Sequence, residues 1–257
     1  FELLASAERL MEIKNLPDEE IGKAPLENVE DTYKKLKSIE FKNISFKYDR
    51  DIILDNTSLT VNKGDFVAIM GISGIGKSTL LKLLLGVFKV ENGEINLNTT
   101  DGTIPADYST RHLFSYVPQG NFLLSGTIKE NLTFINSDVT EDEINRAVQI
   151  ACADSFINDL PDGLNTVIGE RGVGLSEGQL QRLAIARSLL SKSPIMLLDE
   201  ATSALDEATE KAMYTLISAE MPQTTVISIG HRSTLNSFHQ AGLFLDKNLK
   251  KLSFGYL

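Results

Sequence analysis

Short apolar runs alternate with stretches of helical periodicity along most of this chain. The run from Phe66 to Met70 contains no polar position, as expected for a strand that is buried on both faces of a sheet. Two similar runs, Ile195 to Leu198 and Thr225 to Ile229, follow segments with helical spacing. Strands that alternate with helices in this way predict an α/β fold with a mostly parallel sheet.

The remaining periodicity places the other elements around this sheet. Helices are predicted over 77–86 and 207–219, and helical character from 127 to 190 predicts an inserted subdomain at about residues 120–190. The end of the chain, 241–252, has the pattern of a short hairpin. Further strands are predicted at 39–41, 44–46, 54–61, near 95 and at 112–117.

The first 37 residues have a different character from the rest. Residues 1–16 show helical spacing that ends at Pro17, and residues 17–37 are polar and aperiodic, which predicts a linker. They are either a surface helix with a tail or a helical connector from an absent domain. Because the chain starts at Phe1 without methionine, we expect it to be a fragment of a longer protein.

Composition narrows the classes of function. The chain has 257 residues, of which 42% are hydrophobic, and it carries 25 Lys and Arg against 35 Asp and Glu, a formal charge of −10. This balance predicts no nucleic-acid partner, since such partners require basic surfaces. One cysteine excludes an internal disulfide. No run approaches the roughly 20 apolar residues that a membrane helix needs.

The strongest motif is a glycine-rich loop that follows the buried strand at Met70. Residues 71–78 fit the pattern G-x-x-x-x-G-K-[ST], whose backbone N–H groups and following helix N-terminus favour phosphate. Lys77 would reach the β- and γ-phosphates, and the Ser78 hydroxyl would bind Mg²⁺. The nucleotide-binding residues predicted here are Gly71, Ser73, Gly74, Gly76, Lys77, Ser78 and Thr79.

A carboxylate pair follows the second buried strand. Alone, Asp199 and Glu200 would be read as a solvated turn. Parallel strands present their carboxyl ends at one edge of a sheet, where α/β proteins bind ligands, so the pair is expected beside the phosphate loop. Asp199 would then hold Mg²⁺, and Glu200 would polarise the attacking water.

Three other features gain meaning from their position. Gln119 follows the strand predicted at 112–117 and is either a surface residue or a contact to Mg²⁺ and water. His231 follows the strand ending at Ile229 and is either structural or a group that reaches the γ-phosphate. The turn Leu175 to Gln179 is a second Ser/Gly-rich segment, far along the chain from the first, and suggests that two molecules hold each nucleotide.

Together these residues resemble the nucleotide-binding domain of ABC transporters over roughly residues 38–250. Six motifs stand in the order found in that family: residues 71–79, Gln119, Leu175 to Gln179, Asp199-Glu200, Ser203 to Asp206, and His231. The resemblance implies a P-loop NTPase core with a mostly parallel sheet, an antiparallel β subdomain and an inserted α-helical subdomain. It also implies ATP as the substrate and Mg²⁺ as the cofactor.

The resemblance further implies a head-to-tail dimer, in which two ATPase domains sandwich two ATP molecules. Each ATP would lie on the phosphate loop of one chain and face the turn Leu175 to Gln179, called the signature below, of the other chain, as a two-fold homodimer. Catalysis would rest on Lys77, Gln119, Glu200 and His231. The remaining nucleotide contacts would be an aromatic stack on Tyr48, which is otherwise a strand tyrosine, and contacts from Ser176, Gly178, Gln179 and Asp206.

The subtype follows from smaller similarities. Residues 169–172 and the stretch 6–17 are similar to segments of exporter-type members, which implies a transmembrane domain in the same polypeptide and a location on the cytoplasmic face of the cell membrane. The predicted domains are then a connector at 1–37 and an ATPase domain at 38–257. An importer subunit, a soluble ABC ATPase and a nucleotide-gated binding module without turnover remain as alternatives.

Two positions depart from the family pattern. Glu177 occupies a place where the family usually has glycine, so its carboxylate either weakens ATP affinity or points to solvent. Gly230 precedes His231, where a small polar residue is usual. Since neither change removes a catalytic group, we expect an active ATPase.

Overall fold

The computed structural model describes residues 26–120, 123–169, 172–230, 241–245 and 252–256. The predicted α/β fold class is confirmed, with one mostly parallel sheet and one antiparallel sheet. Among these residues the strands are β1 Leu36–Tyr48, β2 Asp51–Asn62, β3 Phe66–Met70, β4 Asn92–Thr99, β5 Gly102–Pro105, β6 Phe114–Val117, β7 Gly126–Thr127, β8 Val167–Ile168, β9 Ile195–Asp199, β10 Thr225–Ile229, β11 Ala241–Leu245 and β12 Leu252–Tyr256. The helices are α1 Val29–Lys35, α2 Lys77–Leu84, α3 Ile128–Thr133, α4 Glu141–Ile150, α5 Asp154–Asn158, α6 Glu177–Leu190 and α7 Glu207–Glu220, with 3₁₀ turns at Tyr108–Leu113 and Gly163–Asn165.

The larger sheet has the strand order β12-β11-β3-β10-β9-β6. Its strands from β11 to β6 pair in parallel, and only β12 is antiparallel, to β11. The carboxyl ends of β3, β10, β9 and β6 are therefore neighbours at one edge. This order brings together the phosphate loop after β3, the carboxylates at the end of β9 and the loop after β6 that contains Gln119.

The smaller sheet has the order β2-β1-β4-β5 and is antiparallel throughout. Two short strands predicted at 39–41 and 44–46 are one long strand, β1. The residues between them stay in the sheet because the pairing with β2 shifts register between Phe41 and Ile44. Asn43 takes a positive φ of 51° in this irregularity, and the Ser58 hydroxyl accepts a hydrogen bond from its N–H at 2.8 Å.

Two apolar cores lie on opposite faces of the parallel sheet. Val67 and Ile69 of β3 pack with α2 and the antiparallel sheet, whereas Phe66 and Ala68 face the helices of residues 128–190 and α7. This alternation explains why β3 reads as a continuous apolar run, since both of its faces are covered. The strand that carries the phosphate loop is thus clamped from both sides.

The linker prediction is wrong for the last part of residues 17–37. Asn28 caps the short helix α1, its side chain accepting a hydrogen bond from the Asp31 N–H at 2.8 Å. Tyr33 is 7% exposed, and its hydroxyl lies 3.0 Å from the Thr225 hydroxyl at the start of β10. Aperiodic sequence concealed the helix because only Tyr33 on it is buried. The helix predicted at 1–16 lies outside the described residues.

Other boundaries differ locally. Residues 108–113, whose end was predicted as strand, form a 3₁₀ turn that the Asp107 side chain caps. The inserted region contains four helices among its described residues, together with the two-residue pair β7–β8. The hairpin predicted at the end of the chain is present as β11 and β12. No helix in the described ranges is both long enough and apolar enough to cross a membrane.

Candidate active site

The phosphate loop joins β3 directly to the first turn of α2. Gly76 is the N-cap of α2 and has a φ of 113°, a backbone conformation that residues other than glycine rarely adopt. Lys77 is 4% exposed, and its ammonium donates hydrogen bonds to the carbonyl oxygens of Gly71 at 2.9 Å and Ile72 at 3.1 Å. These bonds hold the Lys77 ammonium against the loop, whose residues Ser73 and Gly74 are exposed.

Asp199 lies at the end of β9 with both carboxylate oxygens hydrogen-bonded. Ser78 donates to Oδ1 at 2.8 Å, and Tyr116 of β6 donates to Oδ2 at 2.9 Å. A serine hydroxyl and a carboxylate at this distance form a set of oxygen donors that suits Mg²⁺, which prefers hard oxygen ligands and retains water. The predicted metal residues Ser78 and Asp199 thus meet, and they fit the ion.

Glu200 and Gln119 form the next pair along this edge. The Gln119 amide donates to the Glu200 carboxylate at 2.7 Å, although the two residues are 81 apart in sequence. Glu200 has a positive φ of 53°, and its N–H donates to the Ile229 carbonyl of β10 at 3.0 Å. A left-handed glutamate costs about 1–2 kcal/mol, and such strain is concentrated at functional sites.

Burial is the main cause of the pKa shifts of the ionisable groups at this site. Asp199 is 2% exposed, and burial raises its pKa, with a further rise from the Glu200 charge; the hydrogen bonds from Ser78 and Tyr116 oppose this. Burial also lowers the pKa of Lys77, while Glu200 and Asp199 act in the other direction. Burial is likewise the main cause that raises the pKa of Tyr116, which keeps it a donor. A cation bound here would reduce the electrostatic repulsion between the Asp199 and Glu200 carboxylates.

Tyr48 stands at the end of β1, on the antiparallel sheet. Its hydroxyl lies 3.3 Å from the Thr79 hydroxyl in the first turn of α2, so the tyrosine borders the phosphate loop. Its ring packs edge-on against Phe46 and Phe88, at centroid distances of 4.9 and 5.4 Å, and remains 39% exposed. An exposed aromatic ring beside a phosphate loop is available to stack on a base.

The signature turn forms the start of α6. Ser176 is the N-cap, its hydroxyl accepting from the Gln179 N–H at 3.3 Å, while the Gln179 side chain accepts from the Ser176 N–H at 2.8 Å. This capping box fixes the turn and presents an exposed Ser176. Glu177 is also exposed, in the first helical turn, where a carboxylate is favoured by the helix dipole.

Sequence reasoning missed Gln181, which joins the signature helix to the loop after Glu200. Its amide donates to the Ser203 hydroxyl at 2.9 Å and accepts from the Ala204 N–H at 3.0 Å. Gln181 is 5% exposed, and a polar residue beside the apolar Leu183 to Ala186 was the available signal. Gly178 lies in the same contact, since a Cβ on it would stand 2.9 Å from the Ala204 carbonyl oxygen.

The predicted residues thus fall into two groups within one chain. Ser78, Gln119, Asp199 and Glu200 meet at the sheet edge, next to Lys77, whereas Ser176 and Gln179 bond to each other. Asp206 caps α7, accepting from the Thr209 N–H at 2.9 Å, which is the main cause that lowers its pKa. His231 and residues 170–171 lie outside the described residues. The strand β10, which ends two residues before His231, lies between β3 and β9 in the sheet.

Comparisons with known proteins identify the family of this chain. Residues 54–203 match the family model described as "ABC transporter", a range that contains the phosphate loop, Gln119, the signature and both carboxylates. An export ATP-binding/permease protein of Rickettsia conorii is 46% identical over 82% of this chain and 37% of its own length. The alpha-hemolysin translocation ATP-binding protein HlyB of Escherichia coli O157:H7 is 40% identical over 88% of this chain and 32% of its own length.

A solved structure extends the comparison to three dimensions. A bacterial Atm1-family ABC exporter with ATP bound is similar over 99% of this chain and 44% of its own, with a TM-score of 0.84 and 35% sequence identity. The chain therefore spans less than half the length of these relatives. With its core motifs inside the matched residues and its fold shared, the chain belongs to the ABC transporter family, as an ATP-binding domain.

Proposed function

We propose that this chain binds and hydrolyses ATP as the nucleotide-binding domain of an ABC exporter, and that two such domains close head to tail around two ATP molecules. One observation carries the proposal. Ser78, Asp199, Glu200 and Gln119 come from three separate segments and meet within hydrogen-bonding distance beside the phosphate loop.

The chemistry of this arrangement is phosphoryl transfer to water. Phosphoryl transfer depends mostly on positioning and on charge stabilisation. Lys77 would exchange its bonds to the Gly71 and Ile72 carbonyls for phosphate oxygens. Glu200, held by Gln119, would orient the attacking water and accept its proton. Mg²⁺, held by Ser78 and Asp199 with Gln119 nearby, would supply charge neutralisation at the phosphates.

The signature supports the dimeric form of the site. Ser176 stands exposed at the N-terminus of the 14-residue helix α6, where the helix dipole favours an anion. Its own hydrogen bonds are local to that first turn, so its surface is available to the γ-phosphate of an ATP on a second chain. Gly178 and Asp206 would complete that trans half, as the resemblance to the family implies. Such a dimer buries ATP from two sides, and hydrolysis would open it.

Exposed apolar side chains on the inserted region fit a docked membrane domain. Among the described residues nine large hydrophobic or aromatic side chains are exposed, and five of them belong to residues 124–173: Leu124, Phe134, Ile135, Val167 and Val173. A domain docked on this region would remove that apolar surface from water. The relatives named as export ATP-binding/permease proteins support a fused transmembrane domain as the partner, and hence a place on the cytoplasmic face of the membrane.

The decisive test is Glu200→Gln. This change keeps the shape and the contact with Gln119 but removes the base, so we expect the ATPase rate to fall by about 10²–10⁴-fold. ATP binding should survive, and because the nucleotide is no longer consumed, a dimer should accumulate with ATP and Mg²⁺. Size-exclusion chromatography at high protein concentration, with and without ATP, measures that dimer.

Glu30→Gln is the matched control, because Glu30 is an exposed glutamate on α1 that pairs with Lys34. It should leave both turnover and association unchanged. Wild-type turnover in Glu200→Gln would remove Glu200 from the role of base. An ATP-saturated variant that stays monomeric at all concentrations would instead contradict the head-to-tail dimer.

A further inference from the structure

Tyr116 holds one carboxylate oxygen of Asp199, while Ser78, at the end of the phosphate loop, holds the other. Its hydroxyl donates to Oδ2 at 2.9 Å, while Ser78 donates to Oδ1 at 2.8 Å. The two donors therefore hold different oxygens of one carboxylate and come from different elements, Ser78 from α2 and Tyr116 from β6. With both oxygens bonded, the carboxylate plane of Asp199 is fixed.

The strand pairing explains how the tyrosine reaches this position. β6 runs parallel to β9, and Tyr116 is the register partner of Leu197, two residues before Asp199. A tyrosine side chain is long enough to extend along the neighbouring strand to its carboxyl end. The ring is half-buried and packs against the apolar core that also contains Ile195 and Leu197. Its two side-chain torsions are therefore restrained by packing.

We propose that Tyr116 is a positioning residue for Mg²⁺, which acts through Asp199 by keeping Oδ1 turned toward Ser78 and the metal. The proposal rests on the proposed function, because it takes Mg²⁺ with ATP as the ligand. Groups that orient a metal-ligating carboxylate typically contribute 10–100-fold to metal affinity or activity. Without the hydroxyl, only the bond from Ser78 to Oδ1 restrains the carboxylate, and its plane can rotate about that bond.

Tyr116→Phe tests this, since it keeps the ring and removes only the donor. Thermal unfolding is followed at a fixed, saturating ATP concentration while free Mg²⁺ is varied. We expect the free Mg²⁺ concentration that gives half of the metal-dependent rise in melting temperature to increase about 10–100-fold. The stabilisation by ATP in the presence of EDTA should stay as in the wild-type chain.

Tyr33→Phe is the matched control. Its hydroxyl is also hydrogen-bonded, to the Thr225 side chain and the Gln223 carbonyl, at the opposite end of β10 from the site. This variant should lose stability without any change in its Mg²⁺ midpoint. A Tyr116→Phe midpoint equal to that of the wild-type chain would overturn the role of Tyr116 alone. A wild-type chain whose melting temperature responds to neither ATP nor Mg²⁺ would overturn the proposed function as well.

Discussion

The sheet edge at Asp199 and the signature turn at Ser176 differ in how their polar groups are satisfied. At the sheet edge the bonds are long-range, with Ser78, Tyr116 and Gln119 reaching residues 81 to 121 positions away. At the signature turn, the hydroxyl and the N–H of Ser176 bond to Gln179, only three residues away. Asp199 is almost fully buried, whereas Ser176 is exposed.

This difference indicates which parts of the site one chain can complete. The sheet edge is assembled by the fold of a single domain, so its geometry is fixed before any nucleotide arrives. The signature turn is held rigid by its own capping box. The two capping hydrogen bonds between Ser176 and Gln179 do not connect it to the sheet edge. A site built in this way would bind ATP on one chain and become complete on meeting a second.

Substitution of Ser176 should separate the two halves most strongly. Ser176→Arg places a bulky cation at the proposed trans surface, and we expect the ATPase rate to fall by about 100-fold, comparable with the loss of one transition-state contact. ATP binding by the single chain should persist. Steady-state ATPase assays and nucleotide titrations at several protein concentrations measure both quantities.

Ser176 also caps α6, so loss of the cap must be separated from loss of the trans contact. Ser176→Asp keeps a good N-cap residue but presents a carboxylate to the partner's phosphate, and it should be equally inactive with an unchanged melting temperature. Ser137→Arg, at an exposed serine of a loop, should be active. Full activity in both Ser176 variants would contradict the trans site.

The sequence was sufficient for the sheet edge because its residues follow a simple topological rule. Buried apolar runs predicted parallel strands, and parallel strands bring their carboxyl ends together, so Ser78 and Asp199 were expected in one place. Gln119 was assigned to the same edge only by the resemblance to the ABC transporter family. What the sequence could not supply is contact geometry. That Tyr116 reaches Asp199 depends on the register of β6 against β9, which periodicity does not determine.

The failures elsewhere have similar causes. The helix α1 has a single buried residue, Tyr33, so the sequence contained no apolar stripe from which to predict it. The prediction divided β1 into two strands because polar residues lie between Phe41 and Ile44, where the pairing with β2 shifts register. The hydrogen bond from the Asn43 N–H to the Ser58 hydroxyl keeps the chain in the sheet there. Gln181 went unnoticed because its partners lie 22 and 23 residues later, in a turn.

Gln181 offers the second way to sharpen the comparison, because it ties the signature helix to the loop that begins at Glu200. Gln181→Leu removes both hydrogen bonds and leaves the Ser203 hydroxyl and the Ala204 N–H without this partner. We expect about 1–3 kcal/mol lower unfolding free energy. We also expect kcat to fall about 10-fold with little change in KM, since the ATP-binding loop is untouched.

The charge-bearing variant Gln181→Glu is the informative comparison, because a carboxylate still accepts from Ala204 and from a rotated Ser203 hydroxyl. It should recover part of kcat even where its stability remains low. If kcat follows the melting temperature across both variants, Gln181 is a packing residue only. Chemical denaturation and ATPase assays on the same preparations distinguish the two outcomes.

Gly178 should give the smallest effect and the clearest steric one. A Cβ at this position would lie 2.9 Å from the Ala204 carbonyl oxygen, a backbone atom that cannot rotate away. In Gly178→Ala, overpacking of about 1–3 kcal/mol is partly offset by the gain of about 1 kcal/mol from replacing glycine within a helix. We therefore expect about 1 kcal/mol lower stability and a several-fold lower ATPase rate.

Gly174→Ala is the control for this change, because Gly174 lies four residues earlier and a Cβ there meets no atom within 4 Å. It should be neutral in both denaturation and ATPase assays. If Gly178→Ala lowers both stability and the rate while Gly174→Ala lowers neither, the spacing between α6 and the Ala204 turn matters for turnover; a lower rate at unchanged stability would instead indicate the proposed trans contact of Gly178. Equal rates in both variants would mean that this loop can move away from α6 without loss of activity, and the two regions would then be independent.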